Sequence, residues 1–302
     1  MKFWKKCLIT LAVLVITFAV FLIYNIPSLD VEKLNKDIFV IRGVGGNTTV
    51  LNTSAGAVVI DSMTFKQQGK LIKSKAEQLS GKQVVLLINT HYHLDHTHGN
   101  PGFDSGIKIM STERTLSHLK KLDSNSWEGD AAFALPNETF SDMKEIKLGD
   151  KTLRLIHPGL GHTDGDLIVH FVEDDVLVLG DLFFNKHYPN IDLEAGGSIA
   201  AWPDTLDKVL AIGASTIIPG HGETTHNDAV VQFQTFMRQL HEVGQLSVEQ
   251  NLSLEDTIKN AKFNADQQYT EIVFAGIPLG LDREFVLTRA WQEANKQFEL
   301  KN

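Results

Sequence analysis

The chain of 302 residues has 43% hydrophobic and 22% charged side chains, an ordinary globular composition with length enough to bury a large core. Its 28 Lys and Arg stand against 37 Asp and Glu, a formal net charge of −9, and Lys2, Lys5 and Lys6 all fall at the extreme N-terminus, so the rest is more acidic still. With no basic stripe to compensate, such a surface argues against nucleic acid as a partner, because phosphate binding needs basic patches.

Met1 to Lys6 is short and basic, and Cys7 to Tyr24 follows as eighteen residues without a charge. That run is long enough to span a bilayer, and Asn25, Ile26 and Pro27 follow it without the small-residue pattern of a cleavage site. Residues 1–28 are expected to be a membrane anchor or signal segment, an uncleaved anchor being favoured. With the three lysines held on the cytoplasmic side, the remainder would lie in the periplasm at a bacterial inner membrane. Cleavage to a soluble exported protein is the alternative. Cys7 is the only cysteine, so no intrachain disulfide forms and a metal site beyond it has only nitrogen and oxygen ligands.

From Leu29 the globular part begins. Ile38–Arg42, Thr48–Asn52 and Val58–Asp61 read as short strands of an antiparallel meander, with turns at Gly43–Asn47 and Thr53–Gly56. The first turn carries no phosphate-binding glycine pattern and reads as a hairpin tip bordering a site. Asp61 either supports a histidine ligand or caps the next helix. Lys66–Leu79 has helical spacing and Gly81 stops it.

Val84–Ile88 is an unbroken apolar run of strand length, and His91, His93, Asp95 and His96 follow it within a few residues. If this loop is extended, alternate positions point the same way, so His91, His93 and Asp95 converge on one side while His96 turns to a neighbouring point. One loop then serves two ions. Imidazole and carboxylate suit zinc, and also iron, manganese or nickel. His98 reads as a supporting or surface residue.

Ile107–Met110 is a strand and Ser111–Leu122 a helix. Asp123–Leu135, with Trp127 and Phe133, is either a flap or a packed segment. Thr139–Leu148, Lys151–His157, Leu167–Val172 and Val176–Leu179 read as strands. Between them PGLGHTDGD places His162 on a glycine-rich turn that can aim one imidazole inward. Gly180 and Asp181 end the last of these strands, Leu206–Ile212 is helical, and after the short strand Thr216–Ile218 the segment PGHG delivers His221. Leu240–Asn302 is largely helical in pattern. Separate strand ends thus supply His162, Asp181, His221 and the first cluster. No repeat or linker divides residues 29–302, so one catalytic domain including the C-terminal helices is expected.

H-x-H-x-D-H, then GHTDGD, GD and PGHG in that order, resemble the metallo-β-lactamase superfamily of metallohydrolases. The resemblance spans about Ile38 to about Glu223 and implies an α/β fold, an αββα sandwich of two mixed sheets with helices outside. It implies two Zn2+, with Fe or Mn as alternatives: His91, His93 and His162 would hold one metal, Asp95, His96 and His221 the other, and Asp181 would bridge them. Asp181 and the Asp95–His96 pair depart from the β-lactamase subclass that uses cysteine at its second metal. The chain looks more like the glyoxalase II, lactonase and quinoprotein-associated branches.

The function implied is hydrolysis of a small-molecule acyl substrate, an ester, lactone, thioester or β-lactam, by a metal-bridging hydroxide that Asp95 orients or relieves of a proton. Lys186, His187 and Tyr188 either face the pocket or pack in a loop. Trp202 reads as core, and His157, Glu223 and His226 are supporting candidates that no spacing secures. Two further readings stand: a mono-iron persulfide dioxygenase-like enzyme, and a non-catalytic membrane-tethered accessory protein.

Overall fold

Each strand of the N-terminal half sends alternate apolar side chains to two different cores. In the computed structural model, which describes residues 28–274 and 276–300 together with Trp4, Cys7 and Thr10, Ile38 and Val40 face one core while Phe39 and Ile41 face another. Both sides are dry, so the sheet is covered on both faces. The expected anchor or signal run lies almost wholly outside the described residues, among which no helix is long and apolar enough to cross a membrane.

β1 (Asp30–Lys33), β2 (Ile38–Arg42), β3 (Thr48–Thr53) and β4 (Gly56–Ile60) form an antiparallel meander. β5 (Val84–Ile88), β6 (Lys108–Thr112) and β7 (Glu138–Phe140) extend it in parallel. The crossover from β4 to β5 is α1 (Lys66–Ser80), which buries Ile72 and Ala76 on the outer face and stops at Gly81, left-handed at φ 67°. A four-residue turn of helix, α2 (Leu94–Thr97), follows β5, and α3 (Glu113–Lys121) follows β6.

The second sheet runs β12-β11-β10-β9-β8, built from β8 (Met143–Leu148), β9 (Lys151–Ile156), β10 (Ile168–Phe171), β11 (Val176–Phe184) and β12 (Thr216–His221). Its inner face contributes Leu153, Leu155, Val169, Val178 and Ile218 to the core shared with Ile38, Val40, Val58, Leu86 and Ile88 of the first sheet. Its outer face is covered by α4 (Trp202–Leu210), α5 (Asn227–Glu249) and α7 (Arg283–Ala294), through Trp202, Leu206, Phe233, Phe236, Val286 and Leu287. Full burial of such side chains stabilises by about 1.5–3 kcal/mol each. The expected αββα sandwich is the observed one.

Several boundaries differ for physical reasons. Thr139–Leu148 is two strands, not one: β7 pairs with β6 in the first sheet, and after Ser141 and Asp142 the chain crosses so that β8 pairs with β9 in the second. β11 runs on through Asp181 to Phe184, its register to β12 shifting at Gly180, whose φ is 53°. The C-terminal region is less helical than its pattern suggests. Between α6 (Leu254–Asn260) and α7 lies a hairpin of β13 (Val273–Phe274) and β14 (Ile277–Pro278), where Gly276, Pro278 and Gly280 disfavour helix.

Candidate metal centre

The seven residues singled out in the sequence converge at one edge of the sandwich, and they form two groups. Ligand atoms of His91, His93, His162 and Asp181 lie within 4.8 Å of one another, and so do those of Asp95, His96 and His221. The grouping corrects the spacing argument. His93 caps α2 in an extended conformation and the chain then turns helical, so Asp95 does not follow His91 and His93 to one side but joins His96 and His221. The two oxygens of Asp181 divide between the groups: Oδ1 lies 3.1 Å from His96 Nε2 and 3.5 Å from His221 Nε2, while Oδ2 lies 3.7 Å from both His91 Nε2 and His162 Nε2.

Local structure explains how each side chain is aimed. Asn89 and Asn100 exchange amide hydrogen bonds beneath the first loop, and Ser62 Oγ donates to Asn100 Oδ1 at 2.7 Å. The His162 turn closes on Asp166, whose carboxylate accepts from Thr163 N at 2.9 Å and Thr163 Oγ1 at 2.6 Å. Burial pushes the Asp166 carboxyl up to about 7. The β2–β3 turn does border the site. A Cβ on Gly46 would stand 2.3 Å from the His96 ring, and one on Gly220 would stand 2.0 Å from Asp181 Oδ1, so only glycine admits these approaches.

The outer ring nitrogens have partners that fix the imidazoles. Asp61 Oδ2 lies 2.8 Å from His96 Nδ1 and accepts from Thr90 Oγ1 at 2.7 Å, while Phe65 is the residue that caps α1, so of its two readings Asp61 takes the histidine-supporting one. Asp61 holds a left-handed φ of 62° to do this. Asp192 Oδ2 lies 3.0 Å from His93 Nε2 and also accepts from the Tyr92 hydroxyl. His162 Nδ1 lies 2.8 Å from the Asn190 carbonyl oxygen. Phe184 stacks on His221 with ring centroids 5.3 Å apart. Asp192 and Asn190 carry no motif signal, since each meets its histidine from a distant part of the chain, and Phe184 is one more apolar residue of the apolar strand that carries Asp181.

Other candidates point elsewhere. The Tyr188 hydroxyl donates to Asp266 Oδ2 at 2.9 Å, burial and that carboxylate pushing its pKa up to about 12, and its ring packs on Phe236 and Tyr269. His187 Nδ1 pairs with Thr270, and Lys186 lines a separate polar cleft. His226 Nδ1 bonds the Ser215 carbonyl, His157 Nδ1 bonds the Asp166 carbonyl, and Glu223 pairs with Arg42 at 3.4 Å. None of these touches either group. His98 bonds Asp123 Oδ2 at 2.7 Å, and Trp127 is buried against Leu119, so that segment packs rather than covers the site. Trp202 is core, as expected.

The electrostatics call for positive charge. Burial opposes ionisation of Asp95 and Asp181, yet the imidazoles of His96 and His221 outweigh it and hold both carboxyls below their usual range. The same carboxylates, against the penalty of burial, raise His96 and bring His221 up to about 9. On the other side burial lowers His91, and burial with the neighbouring His93 takes His162 down to about 4. His91 Nε2, His96 Nε2 and Asp181 Oδ1 are buried without a well-aligned hydrogen bond, the 3.1 Å approach of the last two included, and His93 Nδ1 faces His162 Nε2 at 2.7 Å. Buried polar atoms left so are costly. A set of nitrogen and oxygen donors with unspent lone pairs fits bound divalent metal.

An αββα sandwich with histidines and aspartates clustered at one edge defines a metallohydrolase class, and the comparisons name it. The family model of the metallo-beta-lactamase superfamily matches residues 41–221, and the chain belongs to that superfamily. It is 32% identical over 215 residues to a metallo-beta-lactamase type 2 of Elizabethkingia meningoseptica, covering 68% of this chain and 83% of that one. A metallo-beta-lactamase type 2 of Bacillus cereus is 27% identical over 207 residues, covering 65% and 77%. Among solved structures, the metallo-beta-lactamase of Pontibacter korlensis superposes with a TM-score of 0.60 at 20% identity, covering 70% of this chain and 99% of that one. The DIM-1 metallo-beta-lactamase gives 0.61 at 21% identity, covering 70% and 98%. These last two are likenesses of fold. Family membership and the His and Asp cluster together support a metal-dependent hydrolase.

Proposed function

We propose that the chain is a two-zinc hydrolase of a small acyl compound. The observation that carries this reading is the pair of ligand groups with Asp181 between them, opening onto one cavity of about 410 Å3 that both His93 and His221 line. His91, His93 and His162 would hold one cation, Asp95, His96 and His221 the other, and Asp181 both. Divalent cations held by these residues would supply a water of lowered pKa and draw charge from a carbonyl oxygen. Asp95 lines the cavity 3.2 Å from His221 Nε2, where its carboxylate can meet a water entering there and take its proton. Water adds to the carbonyl carbon, the bond to the leaving oxygen, sulfur or nitrogen breaks, and that atom departs with a proton.

The relatives by sequence are named β-lactamases, which brings a β-lactam into the substrate set beside an ester, lactone or thioester. Asp181 in place of a thiolate supports the non-lactam members of that set. The basic residues before an apolar run at the N-terminus support export across a bacterial inner membrane. The purified full-length chain is expected to contain about two zinc per chain by elemental analysis and to turn over a lactone, a thioester or a chromogenic β-lactam. Chelation should abolish turnover and zinc restore it. A single iron per chain with no hydrolysis overturns the reading.

A further inference from the structure

The cavity at the metal groups has a wall that the family match does not include. Its polar floor is His93, Asp95, Asp181 and His221, and the same cavity is lined by Ile272, Leu279 and Leu281, which flank the β13–β14 hairpin beyond the matched residues 41–221. Leu94 and Phe184 complete an apolar lining in which Asn190 is the one other polar residue. The hairpin is fixed at both ends. Thr270 bonds through its backbone to Lys186 and Tyr188, Leu279 N donates to the Ile272 carbonyl at 3.1 Å, and Asp282 caps α7 through Phe285 N. Leu279 is nevertheless 50% exposed, and Val273 and Ile277 on the same hairpin are 54% and 55% exposed. Large apolar side chains left open beside a polar floor mark a surface meant to be covered by something apolar.

Resting on the hydrolase reading, we infer that this hairpin receives an uncharged alkyl arm of the substrate, so that the chain acts on acyl compounds bearing a medium-length alkyl chain. The scissile carbonyl sits at the floor and the arm lies along Ile272, Leu279 and Leu281. The arm belongs either to the acyl side or to the leaving side, and both present the same chemistry to the wall.

The full-length zinc-loaded chain is assayed against two homologous series, alkanoyl thioesters of one thiol from acetyl to octanoyl, and alkyl acetates from ethyl to octyl. In one series kcat/KM should rise about twofold to fourfold per methylene until the wall is covered. Leu279→Ser, and separately Ile272→Ser, should lower the ratio of kcat/KM for the longest to the shortest member at least fivefold. Circular dichroism confirms that each variant is folded. Rates independent of chain length in both series, with hydrolysis intact, overturn the wall and leave the hydrolase standing. If no member is hydrolysed, the lactone and β-lactam assays decide the hydrolase reading and binding decides the wall: calorimetry should show octanoate binding more tightly than acetate and losing that preference in Leu279→Ser. Equal binding of the two carboxylates overturns it.

Discussion

Asp95 differs from the other acids of the site in its access to solvent. Asp181 is buried, whereas Asp95 lines the cavity with its side chain 24% exposed while its carboxylate lies 3.2 Å from His221 Nε2. A residue that serves both metal and proton should separate the two roles when only its basicity is removed. Asp95→Asn keeps an oxygen ligand and is expected to lower kcat about a hundredfold or more while zinc content, measured on the same sample, is largely retained. Full activity in that variant would remove Asp95 from the proton path. At this scale the sequence was most legible, because ligand chemistry resides in single residue types at strand ends. His91, His93, His96, His162, Asp181 and His221 all carry a local signal, and Asp192 does not, for an aspartate in the run IDLEAGG looks like any loop acid until the fold sets it 3.0 Å from His93.

At the scale of elements, the apolar pattern foretold most of the strands, whereas their layering was only what the family resemblance implied. The pattern could not say which sheet a strand joins. Thr139–Leu148 has strand pattern throughout, yet its two halves pair in different sheets. β10 shows a second consequence of layering. His170 points to the helix-bearing side between Arg154 and Leu177, with a buried Nε2 that has no partner. Burial, with Arg154 nearby, lowers its pKa below the ordinary value. A histidine with a depressed folded pKa stabilises the fold at pH above its unfolded value near 6.5, and that contribution is lost as pH falls toward the folded pKa. His170→Gln removes the titration. The Tm of the variant minus that of the parent is therefore expected to rise as the pH is lowered from about 7 to about 5, and a difference that stays constant over this window would show that His170 does not titrate differently on folding.

For the whole molecule, the site is a junction between sheets. His91, His93, Asp95 and His96 follow β5 of the first sheet, whereas Asp181 and His221 lie on β11 and β12 of the second and His162 on the turn between its strands β9 and β10. Each sheet alone would present half a site with unpaired buried donors. Metal bound there would tie the sandwich together, and its removal should be felt in global stability. With free zinc near a thousandfold above its dissociation constant, linkage contributes about 4 kcal/mol, which for a protein of this size is about 6 °C in Tm. Calorimetry of the zinc-loaded chain before and after chelation should show a fall of that order, reversed by added zinc. An unchanged Tm would mean that the two groups do not hold metal in the native state.

By itself the sequence determined the donor set and a mixed α/β pattern, because residue chemistry and periodicity are local and survive without knowledge of the fold; the αββα sandwich, and the grouping of Asp95 with His96 and His221, came only as what the family resemblance implied. Only the tertiary structure decided that Asp61 and Asp192 brace the imidazoles and that a C-terminal hairpin walls the cavity. Those relations link residues up to 188 positions apart, as Leu281 and His93 are around one cavity. No spacing rule reaches that far, since what brings such residues together is burial of the shared core rather than any repeat along the chain.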